Sequence, residues 1–247
     1  MADMHTHTIF SLHAYSTVFE NMQAARLCGL NFLAITDHFY QDGTPLNRKN
    51  EVNRIRYLEG AINGFDEDFY IISSAEFNIG QKINCWNRLK NLKWRPIGLH
   101  AWFVERETMT LKNLFDLFEE SAERHNAFVH IEREIHELDN KRHGANLDDE
   151  VKDFFKLMVA LAKERDIWLE VNESSLVRHC GGDVERLKYW IKLAKENRNK
   201  IYLGTDAHFA GRVGNFNLSL QLLNEIEYPR DLILNCDYEQ LAALRNI

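Results

Sequence analysis

His5-Thr-His7 closes the first apolar run of the chain, and Asp206-Ala-His208 stands in the same relation to Ile201-Tyr-Leu-Gly-Thr205. Residues i and i+2 of a strand point to one face, so each pair would present two donor groups to a single pocket. Single donors follow other apolar runs directly: His38 after Ala34-Ile-Thr-Asp37, Glu76 after Ile71-Ile-Ser-Ser-Ala75, His100 after Ile97-Gly-Leu99, and His130 after Phe128-Val129. His13 lies in a loop between the first run and the first helix. Neutral imidazole and carboxylate are the usual ligands of zinc, manganese and iron. Two carboxylates and up to seven imidazoles exceed what one ion needs, so the pattern points to a multinuclear centre. Closely spaced divalent metals acidify a bound water toward pKa ~7 and clamp the oxygens of a phosphoester, so phosphoester hydrolysis by a metal-bound hydroxide is the natural chemistry. Glu76, Asp206 and His208 would then stand at its catalytic heart. No serine or cysteine nucleophile motif is present.

Charge developing on a phosphoryl group calls for further positive or hydrogen-bonding groups. The candidates are Arg178, in the loop after Asn172-Glu-Ser-Ser175, Arg212, just after His208, and Asn172 itself. Against these roles stand two exposed arginines and an asparagine that satisfies a strand-end backbone group. Asp3 and Asp37 are placed to orient a ligand histidine by a hydrogen bond, or to be solvated carboxylates. His125, His136, His143 and His179 lie in helical or charged stretches and are expected in solvent. The basic run Trp86-Asn-Arg-Leu-Lys-Asn-Leu-Lys-Trp-Arg95 reads as a solvated face, or as a guide for a nucleotide substrate.

The elements that must position these groups are seven short apolar strands: the N-terminal segment and the runs 31–36, 69–73, 96–99, 127–129, 167–171 and 201–204. Amphipathic helices separate most of them. Thr17 with Glu20 resembles a capping box, Gly29 can end the first helix, and 110–124 and 148–165 each carry one apolar face. Strands that are apolar throughout and alternate with helices predict a parallel sheet covered on both sides. Seven such units favour a closed or nearly closed barrel whose C-terminal strand ends share one mouth, with an open doubly wound sheet as the alternative. The charged segment Ile131 to Asp149 carries no strand and reads as a surface insertion.

The 247 residues include 30 Lys plus Arg against 37 Asp plus Glu, a net charge of −7, and 11 histidines. That length suits one domain over 1–247, and the acidity argues against broad nucleic-acid binding. No apolar run approaches the ~18 residues of a membrane span, and Met1-Ala-Asp-Met-His5 lacks the features of a signal peptide, so a cytoplasmic protein without membrane partners is expected. Cys28, Cys85, Cys180 and Cys236 lack paired spacing, so reduced, partly buried thiols are expected.

Asp3-Met-His-Thr-His7, His13-Ala-Tyr-Ser16, Ala34-Ile-Thr-Asp-His38, Ala75-Glu76, Gly98-Leu-His100, His130, Leu169-Glu-Val-Asn172 and Gly204-Thr-Asp-Ala-His208 together resemble the PHP (polymerase and histidinol phosphatase) superfamily along nearly the whole chain. The likeness is greatest to stand-alone bacterial phosphatases with a trinuclear metal centre. It implies an α/β fold, a distorted TIM-like barrel of seven β/α units. It also implies that one metal takes His5, His7, Glu76 and Asp206, a second shares Glu76 and adds His100 and His130, and a third takes His13, His38 and His208. The cofactors would be two to three zinc, manganese or iron ions. The sequence departs from many relatives after His130, where Ile131-Glu-Arg-Glu134 replaces Pro-Gly. The implied activity is hydrolysis of a phosphomonoester of a small metabolite, histidinol phosphate being one candidate. A nuclease or phosphodiesterase, and a metal-stabilised module without turnover, are the alternatives.

Overall fold

Each apolar run expected to be a strand forms one, and neighbouring strands pair in parallel. The computed structural model describes residues 1–40, 51–62, 68–100, 109–138, 148–178 and 183–245. In chain order its elements are β1 (Ala2–Thr6), α1 (Val18–Leu27), β2 (Phe32–Ile35), α2 (Glu51–Ile62), β3 (Tyr70–Ser73), β4 (Phe77–Asn78), α3 (Trp86–Leu89), β5 (Pro96–Gly98), α4 (Leu111–Ser121), β6 (Ala127–Phe128), α5 (Ile131–Leu138), α6 (Asp149–Glu164), β7 (Trp168–Asn172), α7 (Glu173–Arg178), α8 (Asp183–Glu196), β8 (Ile201–Gly204), α9 (Asn217–Glu225) and α10 (Tyr238–Ala243).

The strands form two parallel sheets, β1-β2-β3 and β4-β5-β6-β7-β8. β3 and β4 are two halves of one extended segment: the first half pairs with β2, and the second with β5. The bridge His38↔Glu76 spans the seam where the segment changes partner, and Thr6↔Ala207 closes the other seam between β1 and the residues after β8. Backbone bonds from His7 N to Ala207 O (2.9 Å) and from Asp206 N to His5 O (2.8 Å) tie that second seam. The seven strand positions therefore wrap into a distorted barrel rather than an open sheet.

A register shift in β1 sets which residues face inward. Asp3 pairs with Leu33 but Thr6 with Ile35, so β1 carries one residue more than β2 over this stretch. Such a bulge resets the inward–outward alternation. Ala2 and Met4 pack inward with Phe32, Trp94, Trp168 and Tyr202, and after the bulge it is His5 and His7, not Thr6, that continue the inward face. Apolar side chains thus fill the bottom of the barrel and leave its mouth to polar groups, as expected where strand C-termini converge. Trp94 and Tyr202 meet edge-on at 4.9 Å, and Trp94 Nε1 donates to Met4 O. The aromatic residue ending the basic run is therefore core; Trp86 is half-buried against His125.

The helices form where their sequence signals lie. Thr17 and Glu20 close a capping box on α1, and Gly29 takes φ +72° just past its end. Thr110 caps α4 and Asp148 caps α6, each worth about 1 kcal/mol. Leu111, Leu114 and Phe118 of α4, and Phe154, Phe155 and Met158 of α6, bury the inner stripes against the barrel. The segment after His130 differs from its expected role as a surface insertion. Residues 131–138 form α5, and Ile131 and Ile135 are fully buried in the main core because helical spacing brings both onto its inner side. Residues 139–147 lie outside the described ones. Cys28 and Cys236 are exposed rather than partly buried, Cys85 is half-buried, and Cys180 lies outside the described residues. No helix among the described residues is long and apolar enough to cross a membrane.

Candidate metal centre

Glu76 sits where β3 gives way to β4, and imidazoles reach it from several sides. Its Oε1 lies 2.9 Å from His130 Nε2 and 3.2 Å from His100 Nε2. Its Oε2 lies 2.9 Å from His38 Nδ1 and 3.5 Å from both His5 Nε2 and His7 Nε2. Asp206 Oδ1 stands 3.2 Å from His7 Nε2 and 3.4 Å from His208 Nδ1. His13 completes the group from the loop after β1, with Nε2 2.8 Å from His208 Nε2 and 3.3 Å from His38 Nε2. All nine candidate ligands, the eight at strand ends and His13 from its loop, are thus brought together at the barrel mouth. His7, His38 and His208, then His5, His7 and Asp206, and then His38, Glu76 and His100 each place one ligand atom within 4.8 Å of the others.

Hydrogen bonds on the outer ring nitrogens decide which lone pairs face inward. His5 Nδ1 donates to Glu170 Oε1 at 2.7 Å. The Ser11 hydroxyl donates to Asp37 Oδ1 at 2.7 Å, so it accepts from His7 Nδ1 at 2.9 Å. His208 Nδ1 donates to the carbonyl oxygen of Asp206 at 3.0 Å. Each of these rings consequently turns a bare Nε2 inward, and those of His5 and His7 are 3.0 Å apart. Facing lone pairs repel unless a cation lies between them. Glu76 Oε2 and both ring nitrogens of His100 are buried without a hydrogen-bond partner, which is costly unless a positive ligand supplies the missing interaction. The donor set therefore fits divalent metal.

The protonation pattern agrees at four rings; His5 is the exception, since, against burial, Glu170 and Glu76 hold it well above the ordinary histidine range in the absence of a metal charge. Burial, then the charges of His208 and His38, hold His7 well below the ordinary histidine range. Burial and the same kind of neighbours push His13 down to about 4 and lower His38 and His208. These rings are neutral at pH 7, the state in which imidazole binds metal. Burial alone would raise Glu76, but His100, His5 and His38 together hold it well below the carboxylate range. Asp206 is likewise held low, against burial, by His7, His5 and Arg133.

Three supports carry no ligand signal in the sequence. Glu170, in the middle of β7, accepts from His5 Nδ1, from His130 N at 2.8 Å and from Asn172 Nδ2 at 3.0 Å. The sequence clues to it are a carboxylate between Leu169 and Val171 in an apolar strand and its place in Leu169-Glu-Val-Asn172, one of the segments that carry the family resemblance. Ser11 links Asp37 to His7, and Asp37 also accepts from Thr8 and from Arg54. Arg133, on the first turn of α5, places Nη1 2.9 Å from Asp206 Oδ2. His130 (φ +29°) and Asp206 (φ +50°) adopt left-handed backbone conformations that cost about 1–3 kcal/mol each in non-glycine residues. They are held by His130 N on Glu170 and Asp206 N on His5 O.

The remaining sequence candidates separate. Asp3 is fully buried and accepts from the Thr205 hydroxyl and from the backbone of His5, Thr205 and Gly214, so it ties β1 to β8 rather than bonding an imidazole. Asn172 is fully buried: its amide donates to Glu170 and its carbonyl oxygen accepts from Ser175 N, contacts that support Glu170 and the start of α7. Arg212 is exposed and lines a cavity of about 240 Å³ against Asp206 and His208, shared with Tyr15 and Phe209. The side chains of Arg178 and His136 lie outside the described ones, as do His143 and His179. His125 is buried rather than solvated. It meets Phe77 edge-on and Trp86 at a tilt, and burial with the nearby Arg95 and Arg124 pushes it down to about 3.

No protein-family model matches the chain. It is 31% identical over 238 residues to a probable phosphatase of a Thermoanaerobacter species, covering 95% of this chain and 90% of the relative. A probable phosphatase of Clostridium acetobutylicum is 26% identical over 249 residues, covering 98% and 93%. Among solved structures, histidinol phosphate phosphatase from Lactococcus lactis, in complex with zinc, L-histidinol and phosphate, superposes with a TM-score of 0.65 at 14% identity, covering 92% of this chain and 94% of that one.

Proposed function

Because the chain belongs to the PHP superfamily, we propose that it is a metal-dependent phosphatase that hydrolyses phosphomonoesters of a small metabolite at a trinuclear centre. The observation that carries this reading is the convergence of inward-facing imidazole lone pairs on the partnerless Oε2 of Glu76. His5, His7, Glu76 and Asp206 would hold one ion, His100 and His130 with Glu76 a second, and His13, His38 and His208 a third. Such ions supply a nucleophile at neutral pH and neutralise charge on the phosphoryl group. Zinc, manganese and iron all suit this donor set. We read 1–247 as one domain serving that site.

The protein's own groups do the remaining work. Glu170, Ser11 and the Asp206 carbonyl fix ring orientation and tautomer, keeping each Nε2 directed inward. Arg133, beside Asp206, and Arg212, on the adjoining cavity, are placed to offset phosphate charge. Tyr15 and Phe209 give that cavity an apolar wall for the alcohol portion of the ester. The histidinol phosphate activity of the Lactococcus protein makes that compound one substrate to test.

The deciding experiment reconstitutes the chain with zinc, manganese or iron, counts bound ions, and assays phosphomonoesters, phosphodiesters and single-stranded DNA. Two or three ions per chain and preferential monoester turnover are expected. Faster diester or DNA cleavage would make it a nuclease or phosphodiesterase, and full loading without any turnover would make it a structural module.

A further inference from the structure

Asp206 and His208 line the cavity of about 240 Å³ as well as the metal centre, so an ester whose phosphoryl group lies at that centre extends its alcohol portion into the cavity. Tyr15, Val177, Ala207 and Phe209 give it apolar lining. Tyr15 and Phe209 are 80% and 59% exposed, and neither ring meets another aromatic ring among the described residues. Their backbones are nevertheless fixed. Tyr15 N donates to His208 O at 2.8 Å, and Ala210 N donates to the buried Ser16 hydroxyl oxygen at 2.7 Å, so the loop after β1 is stitched to the turn after β8. A Cβ built on Gly211 would lie 2.8 Å from the Phe209 ring, which therefore rests on bare backbone. Aromatic surface held in water beside a cavity gains by being covered.

The charged groups select further. Glu173 also lines the cavity, but its carboxylate accepts from Leu218 N at 3.0 Å, from Ser219 N at 2.8 Å and from the Ser219 hydroxyl at 2.6 Å, which holds the start of α9. Asp206 is engaged by Arg133 and by the imidazoles of the metal centre. Arg212 is exposed and forms no ion pair with a described residue. Ser174, Thr205 and Asn215, the other polar lining groups, carry no charge. A substrate ammonium here finds no uncommitted carboxylate and meets the Arg212 guanidinium instead. A cavity of about 150 Å³ holds a benzene ring, so this one has room for one ring and a short linker.

Resting on the phosphatase reading, we infer that the preferred substrates are monoesters whose alcohol portion is uncharged and carries one apolar ring seated against Tyr15 and Phe209, and that an ammonium on that portion is selected against. The test is titration calorimetry at pH 7 on the metal-loaded chain with phosphonates, which bind without being hydrolysed. 4-Phenylbutylphosphonate supplies the ring, butylphosphonate lacks it, and 3-amino-4-phenylbutylphosphonate adds an ammonium to the ring compound. The phenyl compound should bind about tenfold or more tighter than butylphosphonate, and about threefold or more tighter than its amine. Tyr15→Ala and Phe209→Ala, at exposed positions where folding is not at risk, should each cut the advantage of the ring about threefold or more at equal metal content. Arg212→Gln should narrow the gap between the phenyl compound and its amine. In steady-state kinetics, kcat/KM should likewise favour 3-phenylpropyl phosphate over propyl phosphate and 2-amino-3-phenylpropyl phosphate. Equal affinity for the phenyl and butyl compounds, an amine bound as tightly as its parent, or a ring advantage untouched by both alanine variants would overturn this inference; turnover of monoesters would still uphold the phosphatase reading. Ring-selective binding without turnover of any monoester would do the reverse. No binding of any phosphonate would overturn both.

Discussion

The carboxylate of Glu170 occupies the space where a side chain on Gly204 would stand. A Cβ built on Gly204 would collide with Glu170 Oε1 and lie 2.5 Å from His5 Cβ. β7 and β8 are neighbours in register, with Glu170 opposite Tyr202 and Asn172 opposite Gly204, so the missing side chain opens the slot through which Glu170 reaches His5 Nδ1. Gly204 is required here for close approach, since its backbone is ordinary strand.

Gly204→Ala should therefore act on the metal centre by crowding both Glu170 and the ligand His5. Displacing Glu170 frees His5 to rotate or change tautomer and removes the acceptor for His130 N. Loss of such a support costs roughly 10–100-fold in metal affinity. Competitive chelator titration of the variant checks this, and Glu170→Gln should reproduce the direction of the effect. Unchanged affinity in both would separate Glu170 from metal binding.

Ser11→Ala should uncouple Asp37 from His7. The hydroxyl accepts from His7 Nδ1 and from His38 N and donates to Asp37, so its loss removes a hydrogen bond from three groups at once. A fall of roughly 10–100-fold in metal affinity or kcat is expected, with Ser11→Thr recovering part of it. Chelator titration and steady-state kinetics on the two variants distinguish this from general destabilisation.

Glu76→Gln should be among the most damaging single changes. Both oxygens of Glu76 lie within 3.5 Å of inward-facing imidazoles, and an amide supplies neither the charge nor the second ligand oxygen. Elemental analysis should show fewer ions per chain, and turnover should fall by about a hundredfold or more as the reacting groups lose alignment. Lys156→Ala, on the exposed face of α6, is the control and should change neither.

His125 makes the metal-free chain acid-sensitive for a reason unrelated to catalysis. Burial first, then Arg95 and Arg124, lower its folded pKa from 6.5 to about 3. The unfolded chain therefore takes up the proton first, and stability falls as pH drops from about 6.5 toward 3, by about 1.4 kcal/mol per pH unit from this residue. His125→Phe removes that dependence while keeping a ring between Phe77 and Trp86. Urea unfolding at pH 7 and pH 5 should show the unsubstituted chain losing about 2 kcal/mol more than the variant. Equal losses would contradict the assignment.

The strands, their parallel pairing and eight of the nine converging residues were legible in the sequence because each rests on a local rule; His13, in a loop, rests on the family resemblance. Apolar runs make buried strands, and donors at strand ends share the mouth those strands create. What surrounds them required tertiary structure. The bulge in β1 that turns His5 and His7 inward depends on pairing with β2, and no run of residues within β1 announces it. Glu170 looked like one charge in an apolar strand until β8 brought Gly204 beside it and β1 brought His5. His125 read as a solvated helix-end residue because its charged sequence neighbours, Arg124 and Glu123, say nothing of Phe77 and Trp86, which lie about forty to fifty residues away in the chain. Periodicity fixes which side of its own element a residue faces; which partner waits on that side is decided by elements distant in sequence, where burial and unmet hydrogen bonds set the energetic stakes.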